Sequence, residues 1–319
     1  MPSYEVRKTI EIDAPRQRVH EVLVDYSQWP VWSPWLCAER DCKLTLHGSA
    51  GQPGHGQDWQ GDVIGSGQMR LLSTGEASAT EQRLAMDLKF LKPFKSQADI
   101  TFNLQAVDET RARVEWVMDS SLPFFLFFMT SGIKAMIASD YQRGLLQLKD
   151  YIETGTSPTQ SDVAGIVEVD EINYIGNPGS SAMDSIGVAL EDKLGSLFNQ
   201  HHSSAPQAPR PQAYTFYNKV DIKQQRCDFT AALATDNTDS TDATDSGFST
   251  GTQTQCKALK VVHTGEYRHL GNAWATGMMH MRAKKLKALK SHPPFEKYIS
   301  DPKTTPGAEL VTEIYLPVK

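Results

Sequence analysis

The chain has 319 residues, more than the ~100–200 of one domain, and its 39% hydrophobic and 22% charged content excludes a disordered chain. A net charge of −6 without a long Lys/Arg run argues against direct nucleic-acid binding, whose affinity comes from neutralising phosphates. The longest apolar run, Leu122 to Met129, has eight residues against the ~20 of a spanning helix, so no membrane span is expected. The charged start MPSYEVRKTIEI is unlike a signal peptide, and the expected location is the cytoplasm.

In chain order, Tyr4 to Ile12 alternates apolar and charged residues, which predicts a strand with one wet face. Asp13 and Pro15 predict a helix start, with Asp13 as N-cap, and Val19, Val22, Leu23 and Tyr26 form the helix's apolar stripe. Strand patterns follow at Lys43–Leu46, Trp59–Ser66, Met69–Leu72, Leu84–Phe90, Ala98–Ala106 and Ala112–Met118, as in an antiparallel meander. From Ser131, apolar residues from Ile133 through Met136 and Ile137 to Ile152 recur at helical spacing for about six turns.

Three blocks of this half carry a family resemblance: IEIDAPRQRVHEVLVDYSQWPVWSPW, the glycine-spaced pattern from Trp59 to Gly67, and YQRGLLQLKDYI. Over about residues 3–153 the chain resembles the START-like superfamily of polyketide cyclase/dehydrase-type and lipid-transfer domains. The resemblance implies a helix-grip α+β fold, a bent antiparallel sheet wrapped on the closing helix, with an apolar cavity between them. Trp29, Trp32 and Trp35 then read first as a packed corner, with an aromatic rim at the cavity mouth as the functional alternative. Phe90, Phe94, Phe124, Phe125, Phe127 and Phe128 are candidate interior residues, and Phe90 is carried as a ligand candidate. The loop GSAGQPGHG, Gly48 to Gly56, is a candidate lid; it has no Lys-Ser/Thr ending and is not a phosphate loop.

Residues 155–162, within the polar stretch Thr154 to Asp162, read as the linker between a domain at 1–154 and one at 163–319. The second half shows an internal repeat. A strand at Gly165–Ile175, a helix at Ala182–Phe198, and strands at Ala213–Tyr217 and Arg226–Ala234 form one unit. A strand at Ala258–His263, a helix at Asn272–Lys290 ending in KKLKALK, and a strand at Glu309–Val318 repeat the order, giving two β-α-β-β units. Between them, Asp236, Asp239, Asp242 and Asp245 recur every third residue; a solvated loop is the better reading than a calcium site, because the spacing is not that of a DxDxDG loop. Neither the six histidines of this half nor the four cysteines of the chain have a metal-ligand spacing, and no metal or cofactor is read from the sequence.

The blocks VVHTGEYRHLGNAW, PFEKYISDP and ELVTEIYLPV resemble, in order, the GyrI-like small-molecule-binding domain, also found as the effector-binding part of bacterial transcription activators. In the last strand Glu313 falls beside Val311 and Tyr315, on the face opposite Leu310, Thr312, Ile314 and Leu316. The resemblance implies that Glu313 is the acidic residue that meets flat cationic ligands, with Trp274, Tyr267, Tyr298 and Tyr315 as aromatic walls; the alternative is that Glu313 pairs with an internal Lys or Arg.

These readings converge on non-enzymatic binding of small hydrophobic or lipophilic cationic molecules, as a sensor, carrier or sequestering protein, with a possible link to transcriptional regulation. Two enzymatic alternatives stay open. One is hydrolysis of reactive small molecules with Glu313 activating water and Tyr267 or Tyr298 donating a proton. The other is cyclase or dehydratase chemistry in the first half. The oligomeric state is left open.

Overall fold

The computed structural model describes residues 3–121, 128–156, 159–222, 224–235 and 247–319. The chain divides into two compact units, Met1–Pro158 and Thr159–Lys319. Phe124, Phe125 and Phe127 and the four aspartates from Asp236 to Asp245 lie outside the described residues.

In the first unit, β1 (Ser3–Ile12) leads into α1 (Arg16–Val24) and a short helical turn, α2 (Trp29–Trp32). Six strands follow: β2 (Lys43–His47), β3 (Gly56–Gln60), β4 (Ser66–Glu76), β5 (Glu81–Lys92), β6 (Ser96–Ala106) and β7 (Ala112–Ser121). The helix α3 (Thr130–Thr154) closes the unit. The sheet is wholly antiparallel, in the order β1-β7-β6-β5-β4-β3-β2. As its alternation predicts, β1 buries Val6 and Ile12, while its wet face pairs Arg7 with Glu115 at 2.9 Å and Glu11 with Arg113 at 2.7 Å.

Several local expectations change. Asp13 does not cap α1: its carboxylate faces Lys149 at 3.4 Å, its backbone N–H goes to Glu153 at 2.6 Å, and Pro15 occupies the cap position. The strand expected at Trp59–Ser66 breaks after Gln60, because the Glu39 carboxylate accepts the backbone N–H groups of Asp62, Val63 and Ile64 at 2.7, 2.9 and 2.8 Å and holds them in a turn. Beyond that turn Gly67 lies under the Trp59 ring, where a Cβ would come within 2.3 Å of the indole. The Gly48–Gly56 loop is tied down instead of lid-like. Gly54 donates to Leu71 O and Leu71 to His55 O, both at 2.8 Å, and the buried His55 ring lies 2.8 Å from His47 O.

Between the sheet and the part of α3 around Tyr141 and Gly144 lies a set of packed aromatic rings. Tyr26 stacks on Trp29 at 4.9 Å, Trp29 meets Trp32 at 4.6 Å, Trp32 meets Trp116 edge-on at 5.8 Å, and Trp116 stacks on Tyr141 at 4.0 Å. Gly144 lets α3 approach this stack, since a Cβ there would lie 2.9 Å from the Trp116 ring. The rim reading of Trp29 and Trp32 is therefore corrected: both are fully buried core. Trp35 is half-buried, edge-on to Trp116 and Tyr141, and Phe90 is half-buried against Trp59. Phe94 and Phe128 are exposed, not interior, and Met136 on α3 is 43% exposed.

The second unit has the elements β8 (Thr159–Val169), β9 (Ile172–Ala182), α4 (Ile186–Ser204), β10 (Ala213–Asp221), β11 (Arg226–Ala234), β12 (Ser249–Gln253), β13 (Cys256–Gly265), α5 (Leu270–Ala283), β14 (Phe295–Tyr298) and β15 (Val311–Val318). One antiparallel sheet runs β12-β9-β11-β10-β14-β15-β13-β8. Its halves mirror each other as β9-α4-β10-β11 and β13-α5-β14-β15, the expected repeat. Each repeat's leading strand crosses over: β8 pairs with β13, and β12 pairs with β9.

The single strand expected at Gly165–Ile175 is two strands with a turn at Asp170–Glu171; the alternation continues through both arms and hides the turn. Residues 159–162, expected in the linker, are the start of β8. The helix expected from Ala182 begins at Ile186 and runs to Ser204. The one expected to reach Lys290 ends at Ala283, because Lys285 turns left-handed at φ 55° and Leu286 N–H closes back on Met281 O at 2.9 Å. KKLKALK thus lies beyond Ala283, so the cations at the helix C-terminus are Arg282 in the last turn and Lys284 at the C-cap, and the later lysines of the run are past the helix.

Both helices cover one face of the sheet. Leu259, Val261, Ile314, Leu316 and Val318 pack with Ala273 and Met281 of α5, and Phe229, Ala231 and Leu233 pack with Leu190 and Leu197 of α4. The other face holds a separate aromatic core of Tyr174, Tyr214, Phe216, Phe295 and Tyr315, to which neither helix contributes.

Candidate functional site

Strand β14 is four residues long, and its alternation sends Phe295 and Lys297 to the helix-free face and Glu296 and Tyr298 to the helix face. There Glu296 is 1% exposed, and its carboxylate accepts three hydrogen bonds. Trp274 of α5 donates its indole N–H to Oε1 at 2.6 Å, Tyr217 of β10 donates its hydroxyl to the same oxygen at 2.8 Å, and Tyr298 donates to Oε2 at 2.7 Å. The Tyr298 hydroxyl also lies 2.9 Å from Thr215 Oγ1. Tyr217 meets Trp274 edge-on at 4.9 Å, and Tyr267, in the turn before α5, meets Tyr298 edge-on at 5.7 Å.

The electrostatics follow from this enclosure. Burial raises the Glu296 carboxyl above its ordinary value, against the opposing pull of its Trp274, Tyr298 and Tyr217 hydrogen bonds. Burial, then the neighbouring carboxylate, holds the Tyr217 and Tyr298 phenols far above their usual range and pushes Tyr267 up to about 12. At neutral pH all three phenols are donors. A carboxylate that deep, with only neutral partners, is a strong electrostatic anchor for a positive or proton-donating group.

The residues expected at the site divide between two places. Trp274, Tyr267 and Tyr298 gather around Glu296. Glu313 and Tyr315 lie on the helix-free face, where Glu313 forms an ion pair with Lys260 and accepts the Tyr315 hydroxyl at 2.6 Å. Burial pushes the Glu313 carboxyl up, but Lys260 and Tyr315 outweigh it and leave it below the ordinary range. The internal-lysine alternative describes Glu313, and the carboxylate among the aromatic walls is Glu296. Sequence reading missed Glu296 and Tyr217, although a signal was present: if Tyr298 is a wall, Glu296, two residues earlier on the same strand, shares its face.

Among the described residues no group of three or more His, Cys, Asp or Glu side chains could hold a metal ion, and no helix is long and apolar enough to cross a membrane.

A helix-grip unit is followed by paired β-α-β-β units, and comparison with known families finds a match for each. Residues 3–153 match the family described as polyketide cyclase/dehydrase and lipid transport, and residues 166–319 match the GyrI-like small-molecule-binding domain. The chain is a fusion of these two families, and its second half is a small-molecule-binding domain. A search of curated proteins found no match. Similar solved structures include the EcmrR–DNA complex, with 18% identity over 61% of this chain and 69% of that one and a TM-score of 0.41. The EcmrR C-terminal domain has 19% identity over 50% and 98%, with a TM-score of 0.40, and a hydrolase from Listeria innocua has 15% over 50% and 91%, with a TM-score of 0.34.

Proposed function

We propose that the GyrI-like half binds a lipophilic, cationic small molecule between α5 and β14, with Glu296 as the anionic anchor and Trp274, Tyr217, Tyr298 and Tyr267 as its aromatic walls. The observation that carries this reading is the enclosed carboxylate whose partners are all neutral donors on aromatic rings. A cation relieves the cost of the buried charge, and each ring it faces adds roughly 0.5–2 kcal/mol. Rhodamine 6G, a flat lipophilic cation, is a suitable probe, followed by its own fluorescence anisotropy. Glu296→Gln is expected to weaken it at least tenfold, while Glu313→Gln leaves it within about twofold. Equal affinity in wild type and Glu296→Gln overturns the assignment.

One observation favours a second reading, hydrolysis of a reactive small molecule. The Tyr298 phenol and the Glu296 carboxylate are 2.7 Å apart, a proton-donor and base pair within reach of one bound substrate. A mass-spectrometric screen of strained electrophiles, with Glu296→Gln as the control, separates turnover from binding.

A further inference from the structure

At 1% exposure Glu296 meets no ligand unless something moves, and two loops meet beside the strand that carries it. One is the segment after α4, residues 205–212, which is mostly exposed; the other follows β14. Arg210 of the first forms an ion pair with Asp301 of the second, and its guanidinium lies over the Phe198 ring of α4, 4.2 Å from the centroid. Gln212 donates to the backbone oxygen of Tyr298 at 2.6 Å, so the same segment also grips the strand that carries Glu296. Phe198 packs in one cluster with Tyr217 and Tyr298, two of the three donors to the carboxylate. Tyr267, edge-on to Tyr298 at 5.7 Å, feels the charges of Glu296, Arg210 and Asp301.

We infer that Arg210 is a latch: paired with Asp301 and stacked on Phe198, it holds residues 205–212 against the strand that carries Glu296, and the enclosure of that carboxylate opens when the pair separates. The geometry suits the role. The pair joins two loops instead of two core elements, and its side chains are 43% and 27% exposed, so it breaks without disturbing the sheet. Its biological sense rests on the reading of Glu296 as the ligand anchor, because a latch matters only where something is admitted. Arg210 touches none of the carboxylate's donors directly and is a positioning residue.

The Trp274 indole N–H, bonded to Glu296, reports opening without any ligand, since its exchange with solvent requires that buried hydrogen bond to part. In the full chain, Arg210→Ala and Asp301→Ala are each expected to speed that exchange roughly tenfold, the scale of one exposed ion pair reinforced by a ring contact. The backbone amide of Val261 in the core of β13 is expected to exchange as in wild type. The charge-swapped protein, Arg210→Asp with Asp301→Arg, is expected to recover part of the slow indole exchange. Unchanged indole exchange in both single variants, equal acceleration at Val261, or a swapped pair no slower than the single variants overturns the latch. The rhodamine 6G titration is independent of this result, so the ligand reading and the latch fail separately.

Discussion

Glu296 and Glu313 stand one register step apart on neighbouring strands, and that step places them on opposite faces of the sheet. Glu313 is paired in register with Lys297, and Glu296 with Ile314. Side chains opposite each other share a face, so Glu313 shares its face with Lys297 and Tyr315 while Glu296 shares the α5 side with Ile314. One carboxylate is neutralised by a lysine; the other is surrounded by aromatic donors.

This difference predicts opposite consequences of losing a partner. Lys260→Met removes the ion-pair partner of Glu313, whose side chain is 15% exposed, and is expected to cost roughly 1–3 kcal/mol, less than a fully buried pair. Lys260→Met combined with Glu313→Gln is expected to regain most of that loss. Urea denaturation measures both, and an unaffected Lys260→Met protein refutes the structural role of the pair.

Glu296 predicts a pH dependence. Its folded-state carboxyl is raised, so the proton it holds stabilises the folded protein below the ordinary carboxylate range, and that stability is lost as pH rises through the raised value. Glu296→Gln cannot ionise. The stability of wild type minus that of the variant is therefore expected to fall as pH is taken from about 4 to about 7, read from urea unfolding at each pH. A constant difference across that window contradicts an elevated Glu296.

His263 acts with the opposite sign. It is fully buried on β13, with its ring nitrogens 3.2 Å from Thr159 Oγ1 and 3.3 Å from Glu266 O. Burial lowers its folded-state value to about 4. Stability is thus complete above the unfolded value near 6.5 and is lost as pH falls toward 4, by roughly 3 kcal/mol. His263→Gln is expected to be weaker at neutral pH but to lose less on acidification. An acid limb of equal slope in both proteins argues against a neutral buried His263.

Trp32 tests the filled interior of the first half. It is 0% exposed between Trp29 and Trp116, so Trp32→Ala opens a large core cavity and is expected to cost roughly 3–5 kcal/mol. Near-ultraviolet circular dichroism against urea follows the loss, because five of the six tryptophans belong to this half. A cost below about 1 kcal/mol is the result expected of a ligand-facing ring and not of a core one.

Much of the architecture was legible from pattern alone. The alternation of β1, the helical period of α3 and the repeated units of the second half are local signals, set by which residues must turn inward along a strand or helix. Trp274, Tyr267 and Tyr298 were singled out because their blocks carry the family resemblance, and the fold gathers them around Glu296. Tertiary structure decided what local patterns leave open: that Trp29 and Trp32 fill a core, that β8 and β12 exchange places between repeats, and that Lys260 reaches Glu313. The physical reason is the same in each case. A strand's period says which residues share a face, but the partner that satisfies a buried charge, or fills a hollow, comes from a segment distant in sequence, and only the folded chain brings the two together.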